Sequence, residues 1–295
     1  MGFSPNILVD IQQILSLEFM RDAYASGTVV AIIAGFTGYF VVLRRSTFVA
    51  HAFSEIGFSG AAGAVLLSSV TGIAFPPIAG LLLGSVLGGL AIGLLGRRAT
   101  YRDVHIGIVL AFTLGLGLLF ISLYPGYATE TYSILFGEIL GINPGDVVLT
   151  LISGILILAF IAVLYRPLLF SSLDEEVAEA KGVPVMPLGI AFMVIVAVAV
   201  SISIQFTGVL LIFSLMVTPA ATAQYLASTP RQVIAYSVLI SLASTWLGLF
   251  VAFYEAPPVS FFITTFAFAS YLFVRFGFRR IRPMHPRRLA LHVPT

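Results

Sequence analysis

Residues 44–60 read R-R-S-T-F-V-A-H-A-F-S-E-I-G-F-S-G. Two arginines open the stretch, and the rest is apolar or small except for one imidazole, His51, and one carboxylate, Glu55. Their i, i+4 spacing places both side chains on one face of a helix. Whether that helix lies in water or in lipid decides the fold. Of 295 residues, 59% are hydrophobic and only 9% are charged, whereas a soluble domain carries about 25% charged residues. The expected fold is therefore all-α, a polytopic membrane helix bundle. In lipid, an ionisable pair such as His51 and Glu55 loses its water at high cost and marks a functional site.

Nine segments approach the roughly 20 apolar residues that a bilayer requires. They are 23–43, 48–70, 75–95, 104–124, 147–165, 187–204, 208–226, 233–254 and 257–274. Only Gln205, Phe206 and Thr207 part the sixth from the seventh, so a broken hairpin with eight spans is the other count. Residues 1–21 form an N-terminal segment whose run from Ile7 to Phe19 has the pattern of an interfacial helix. The membrane-spanning body covers 22–276, with the connection 166–187 inside it, and 277–295 is a basic tail. The first residues, M-G-F-S-P-N, lack the basic start and apolar core of a signal peptide.

Nine spans put Arg44, Arg45, Arg97, Arg98, Arg102, Arg166, Lys181, Arg231 and the tail arginines on one side, with Arg21 alone on the other. Positive charge marks the cytoplasmic side, so the N-terminus is expected outside and the C-terminus in the cytoplasm. Asp10, Glu18, Asp22, Glu130, Glu138, Asp146 and Glu255 then face outward. They either concentrate cations at an acidic mouth or fill the side that the arginines avoid. The scattered arginines form no nucleic-acid patch.

Gly80, Gly84 and Gly88 in the third span have the small-residue register of close helix contacts, within the bundle or between subunits. Gly107, Gly115 and Gly117 are expected to act alike in the fourth. Residues 132–140, in the external loop, are apolar but too short to cross and read as a re-entrant or surface helix.

The connection 166–187 reads R-P-L-L-F-S-S-L-D-E-E-V-A-E-A-K-G-V-P-V-M-P. Ser172 or Asp174 can cap a short helix that begins with Glu175 and Glu176 and ends at Lys181, in keeping with the helix dipole. Val177 and Ala180 share a face, Gly182 suits the C-terminal cap, and Pro184 lies just beyond. The seventh segment holds Pro219, which kinks a helix. Ser214, Thr218 and Thr222 form a hydroxyl stripe there, lining a pathway or bonding back to their own helix.

An imidazole and a carboxylate suit a borderline or hard divalent metal rather than Cu(I). Two ligands do not close a structural zinc site. A transport site tolerates that incompleteness because the ion must leave. The other reading of His51 and Glu55 is a structural hydrogen bond between helices. With no cysteine, thiolate sites are excluded. No P-loop, H-E-x-x-H or Ser–His–Asp grouping is present, and the other histidines are His105, His285 and His292, so no enzyme chemistry is expected.

Four stretches together are similar to one family. They are V-V-L-R-R-S-T-F-V-A-H-A-F-S-E (41–55), S-I-L-F-G-E-I-L (133–140), L-D-E-E-V-A-E-A-K-G-V-P-V (173–185) and I-Q-F-T-G-V-L-L-I-F-S-L-M-V-T-P-A-A-T-A (204–223). The chain resembles the permease subunit of ABC importers for divalent metals. The family's D-A-x-S-H is here His51-Ala52-Phe53-Ser54-Glu55, with carboxylate and imidazole exchanged at unchanged spacing. Ala50 replaces its usual Gly and Ser59 its usual Pro.

The resemblance implies a multi-pass protein of the inner, cytoplasmic membrane that works as a homodimer in the lipid bilayer. A separate ATPase subunit hydrolyses ATP, and an extracytoplasmic binding protein delivers zinc, manganese or iron as cargo. No tightly bound cofactor is expected. His51 and Glu55 would be the metal ligands, with Ser54, Ser214, Thr218, Pro219 and Thr222 lining the pathway. Asp174, Glu175, Glu176, Val177, Ala180, Lys181 and Gly182 would couple to the ATPase. The competing readings are an ion-coupled secondary transporter, which should show paired broken helices in inverted repeats, an intramembrane enzyme, and a related permease for a metal chelate.

Overall fold

The computed structural model describes residues 12–14, 16–95, 102–124, 142–255 and 257–279. Ten helices follow one another there: α1 Glu18–Leu43, α2 Thr47–Thr71, α3 Pro77–Leu95, α4 Arg102–Leu123, α5 Pro144–Leu173, α6 Glu175–Ala180, α7 Val185–Thr207, α8 Val209–Leu226, α9 Pro230–Tyr254 and α10 Val259–Arg279. All but α6 and α8 are long and apolar enough to cross a membrane, which makes eight candidate spans among the described residues. The sixth and seventh apolar segments are two helices, broken at Gly208 with φ 78 and ψ 164, and the apolar part of α8, Leu211–Leu226, is shorter than a span. The first part of the run at 7–19, the loop helix at 132–140 and most of the basic tail lie outside the described residues.

α2 is the pivot of the packing, and α3 lies against it without side chains between. A Cβ on Gly60 would fall 2.2 Å from the Gly80 carbonyl oxygen, and one on Gly84 would fall 3.0 Å from the Gly60 Cα. The glycine register of the third span is therefore a contact inside the bundle. The fourth span departs from expectation. Gly117 abuts Ser59, but Gly107 and Gly115 have nothing within 4 Å. They lie among the outward side chains of α4, such as Ile108 and Phe112, so small size achieves no close approach there.

α1 and α9 run antiparallel. Ser237 Oγ donates to the Gly35 carbonyl at 2.8 Å, and Trp246 Nε1 donates to Thr28 Oγ1 at 3.0 Å. α5 begins in a capping box, where Asn143 receives the Gly145 and Asp146 amides and Asp146 receives the Asn143 amide. It then runs through Pro167 to Leu173, so the first part of the connection at 166–187 continues the span as helix. Proline forfeits one backbone hydrogen bond but holds a helical φ. Ile161 and Leu168, two turns apart across it, are both fully buried and keep one face packed.

Candidate functional site

The site begins with a tight turn. The Arg44 amide donates to Phe40 O and the Ser46 amide to Val41 O, both at 2.9 Å, with Arg45 at φ 54. This reverses the chain within three residues and starts α2 at Thr47. His51 and Glu55 follow on one face, both half-buried, while Ala50 before them and Ala52, Phe53 and Ser54 between them are fully packed. The His51 ring sits between two aromatics: Phe48 at 6.0 Å and Phe213 of α8 at 5.7 Å, the latter edge-on. Ser54 Oγ donates to the His51 carbonyl at 2.7 Å. Ser59 Oγ is shared between the Glu55 carbonyl and the Thr113 carbonyl of α4, which fastens this part of α2 to α4.

α8 meets this face with its own half-buried side, Phe213, Ser214, Val217, Thr218 and Ala221, while Leu215, Met216, Pro219, Ala220 and Thr222 are buried behind it. The five hydroxyl and proline positions therefore divide. Ser214 and Thr218 border the groove between α2 and α8. Ser54 and Thr222 are buried, Thr222 Oγ1 donating to the Thr218 carbonyl at 2.7 Å, and Pro219 is packed. For Ser54 and Thr222 the back-bonding role is the one seen.

A Cβ on Gly57 would fall 3.6 Å from Ile204 Cδ1, which sets α7 against α2 one turn before the α7–α8 turn at Gly208. Gln205 Nε2 donates to Asp146 Oδ1 at 3.1 Å and ties the turn to the start of α5.

At the other end of α7, Asp174 caps α6, its Oδ1 accepting from the Val177 amide at 3.0 Å. Ser172 instead donates to the Leu168 carbonyl of its own helix. Gly182, at φ 80, closes α6, with its amide on Glu179 O and the Val183 amide on Ala178 O. Ala178 is buried, so α6 is held to the body through that residue. Asp174, Glu175, Glu176, Val177, Ala180, Lys181 and Gly182 face outward, including the apolar Val177 at 44% exposure. A cleft of about 280 Å³ lies beside α6, lined by Arg44, Glu175, Glu179, Gly189 and Met193 among others.

Among the described residues, no three His, Cys, Asp or Glu side chains gather into a metal-binding group. His51 and Glu55 are thus a two-donor set on an open groove, able to share a divalent ion with donors from elsewhere. Phe48, Phe213, Glu179 and the placement of Arg44 escaped the sequence reading. Phe213 and Glu179 have local neighbours that announce nothing, and only the tertiary contact reveals them.

The profile of the ABC 3 transport family matches residues 16–277. The chain is 28% identical to the manganese transport system membrane protein MntC of Halalkalibacterium halodurans, over 83% of this chain and 82% of that protein. It is also 28% identical to the high-affinity zinc uptake system membrane protein ZnuB of Haemophilus influenzae, over 88% and 98%. Its fold superposes with a TM-score of 0.80 on a chain of the structure described as PsaBC from Streptococcus pneumoniae in complex with Fab, at 28% identity and covering 94% and 99%. A bundle of eight candidate spans, with a polar pair on its central helix and a family match over nearly its whole length, leads to one conclusion: the chain belongs to the ABC 3 transport family.

Proposed function

We propose that this permease carries a divalent transition metal, zinc, manganese or iron, across the cytoplasmic membrane as the membrane subunit of an ATP-driven importer. A separate ATPase supplies the energy and an extracytoplasmic binding protein supplies the ion. The observation that carries the reading is the half-buried His51–Glu55 pair, set on one face of α2 against Phe213 of α8. Two donors per copy are too few for a closed site, and a second copy facing the same groove supplies two more. Manganese and zinc are what the named relatives transport, and both accept imidazole and carboxylate together. The outward face of α6, with Val177 and Ala180, is the surface for the ATPase. The N-terminus lies outside and the C-terminus in the cytoplasm, which requires α8, though shorter than a full span, to carry the chain back from the α7–α8 turn to the cytoplasmic start of α9.

Uptake of labelled manganese, zinc and iron by cells expressing the transporter tests the ligands. Even partners one shell removed from a metal cost about 10–100-fold when mutated. His51→Ala and Glu55→Ala should therefore each lower uptake at least about tenfold, at unchanged membrane abundance. Normal uptake by Glu55→Ala sinks the ligand assignment.

A further inference from the structure

We propose that Arg44 is a positioning residue that joins α6 to the metal-bearing helix α2, so that movement of α6 is delivered to His51 and Glu55. The inference rests on the transport reading above and goes beyond it. Arg44 closes α1 and stands three residues before α2 begins at Thr47. Its guanidinium carbon lies 5.1 Å from the Phe192 ring centroid of α7, and one of its terminal nitrogens lies beside Gly189, 3.9 Å from where a Cβ would be. It lines the cleft that Glu175 and Glu179, one turn apart on α6, also line. One half-buried side chain thus meets the base of α7 at the entry to α2 and shares a cleft with the acidic side of α6. Its neighbour Arg45 is exposed and does not line the cleft.

The physical case is one of attachment. α6 has six residues, sits between an extended Asp174 and a left-handed Gly182, and buries only Ala178. A helix so short transmits a push only where something rigid holds it. A planar guanidinium with five donors stacks on an aromatic face and binds carboxylates at the same time. From Thr47 onward α2 is unbroken through Glu55, so a shift at the turn moves the pair as a rigid body.

The test uses the complete complex of permease and ATPase in proteoliposomes, loaded with manganese or zinc, measuring metal moved per ATP hydrolysed. Arg44→Gln should keep ATP hydrolysis while metal per ATP falls about tenfold. Arg44→Lys should fall between it and the unmodified protein. Arg45→Asn, which removes an equal charge from the same turn and tolerates its left-handed backbone, should change nothing. Equilibrium metal affinity should be unaltered in all three. The double variant Glu175→Gln/Glu179→Gln should lower the ratio too, and adding Arg44→Gln to it should lower it no further. Should Arg44→Gln fail to assemble, the Glu175→Gln/Glu179→Gln variant decides alone. An unchanged metal-to-ATP ratio in the deciding variant, or additive effects, overturns the proposal. If Glu55→Ala abolishes uptake in the same vesicles, that failure belongs to Arg44 and the transport reading stands.

Discussion

Two side chains stand where they can cap α6, and the structure chooses between them. Asp174 reaches forward to the Val177 amide, whereas Ser172 turns back to its own helix. An N-cap carboxylate is worth about 1 kcal/mol, and more in relative terms on a helix of one and a half turns. Asp174→Ala should therefore raise hydrogen exchange across 175–181 and weaken binding of the ATPase, while Ser172→Ala leaves both unchanged. Equal effects from the two substitutions contradict the assignment. The cap was legible in sequence because capping is a matter of three residues, and so was the His51–Glu55 pair, because helical spacing alone sets its shared face. Phe213 was not, because it meets His51 from a helix more than 150 positions along the chain. Spacing predicts neighbours within a helix and is silent about those across a bundle.

Helix faces explain why one glycine motif behaved as expected and another did not. Gly60, Gly80 and Gly84 let the backbones of α2 and α3 touch, while Gly107 and Gly115 face open space. The residue type is the same, but only the orientation of α4 in the bundle tells the two groups apart. Overpacking a close contact costs about 1–3 kcal/mol. Gly60→Leu should accordingly lower the unfolding temperature of the purified protein in detergent, and Gly115→Leu should not. A similar loss in both would mean that α4 is covered on its outer side. The run of α5 through Pro167 was likewise hidden, since a proline reads as a stop until the packing of Ile161 and Leu168 on either side is known. The break at Gly208 was visible as three residues between apolar runs; its tie to the start of α5 was not, because Gln205 and Asp146 lie 59 positions apart in the chain.

Across the whole molecule the outer surfaces differ in kind. α5 and α10 present large apolar side chains, with Leu156, Val163 and Phe273 at 63%, 80% and 78% exposure, as a surface meeting lipid does. The α2–α8 groove instead presents His51, Glu55, Ser214 and Thr218 among partly covered aromatics, a surface costly to leave in hydrocarbon. The second copy proposed to face that groove would remove the cost and bring the two donor pairs together. The chain has no cysteine, so single introduced thiols report proximity without background. A disulfide needs Cβ atoms about 3.5–4.5 Å apart, and a short bismaleimide reaches further. Val217→Cys or Ala221→Cys should cross-link two permeases in native membranes, and Leu156→Cys should not. If the groove thiols stay monomeric while a thiol on the outer face of α4 cross-links, the copies meet elsewhere. Each His51–Glu55 pair must then bind its ion alone, with water completing the shell, and metal affinity measured on a single copy should equal that of the assembled pair.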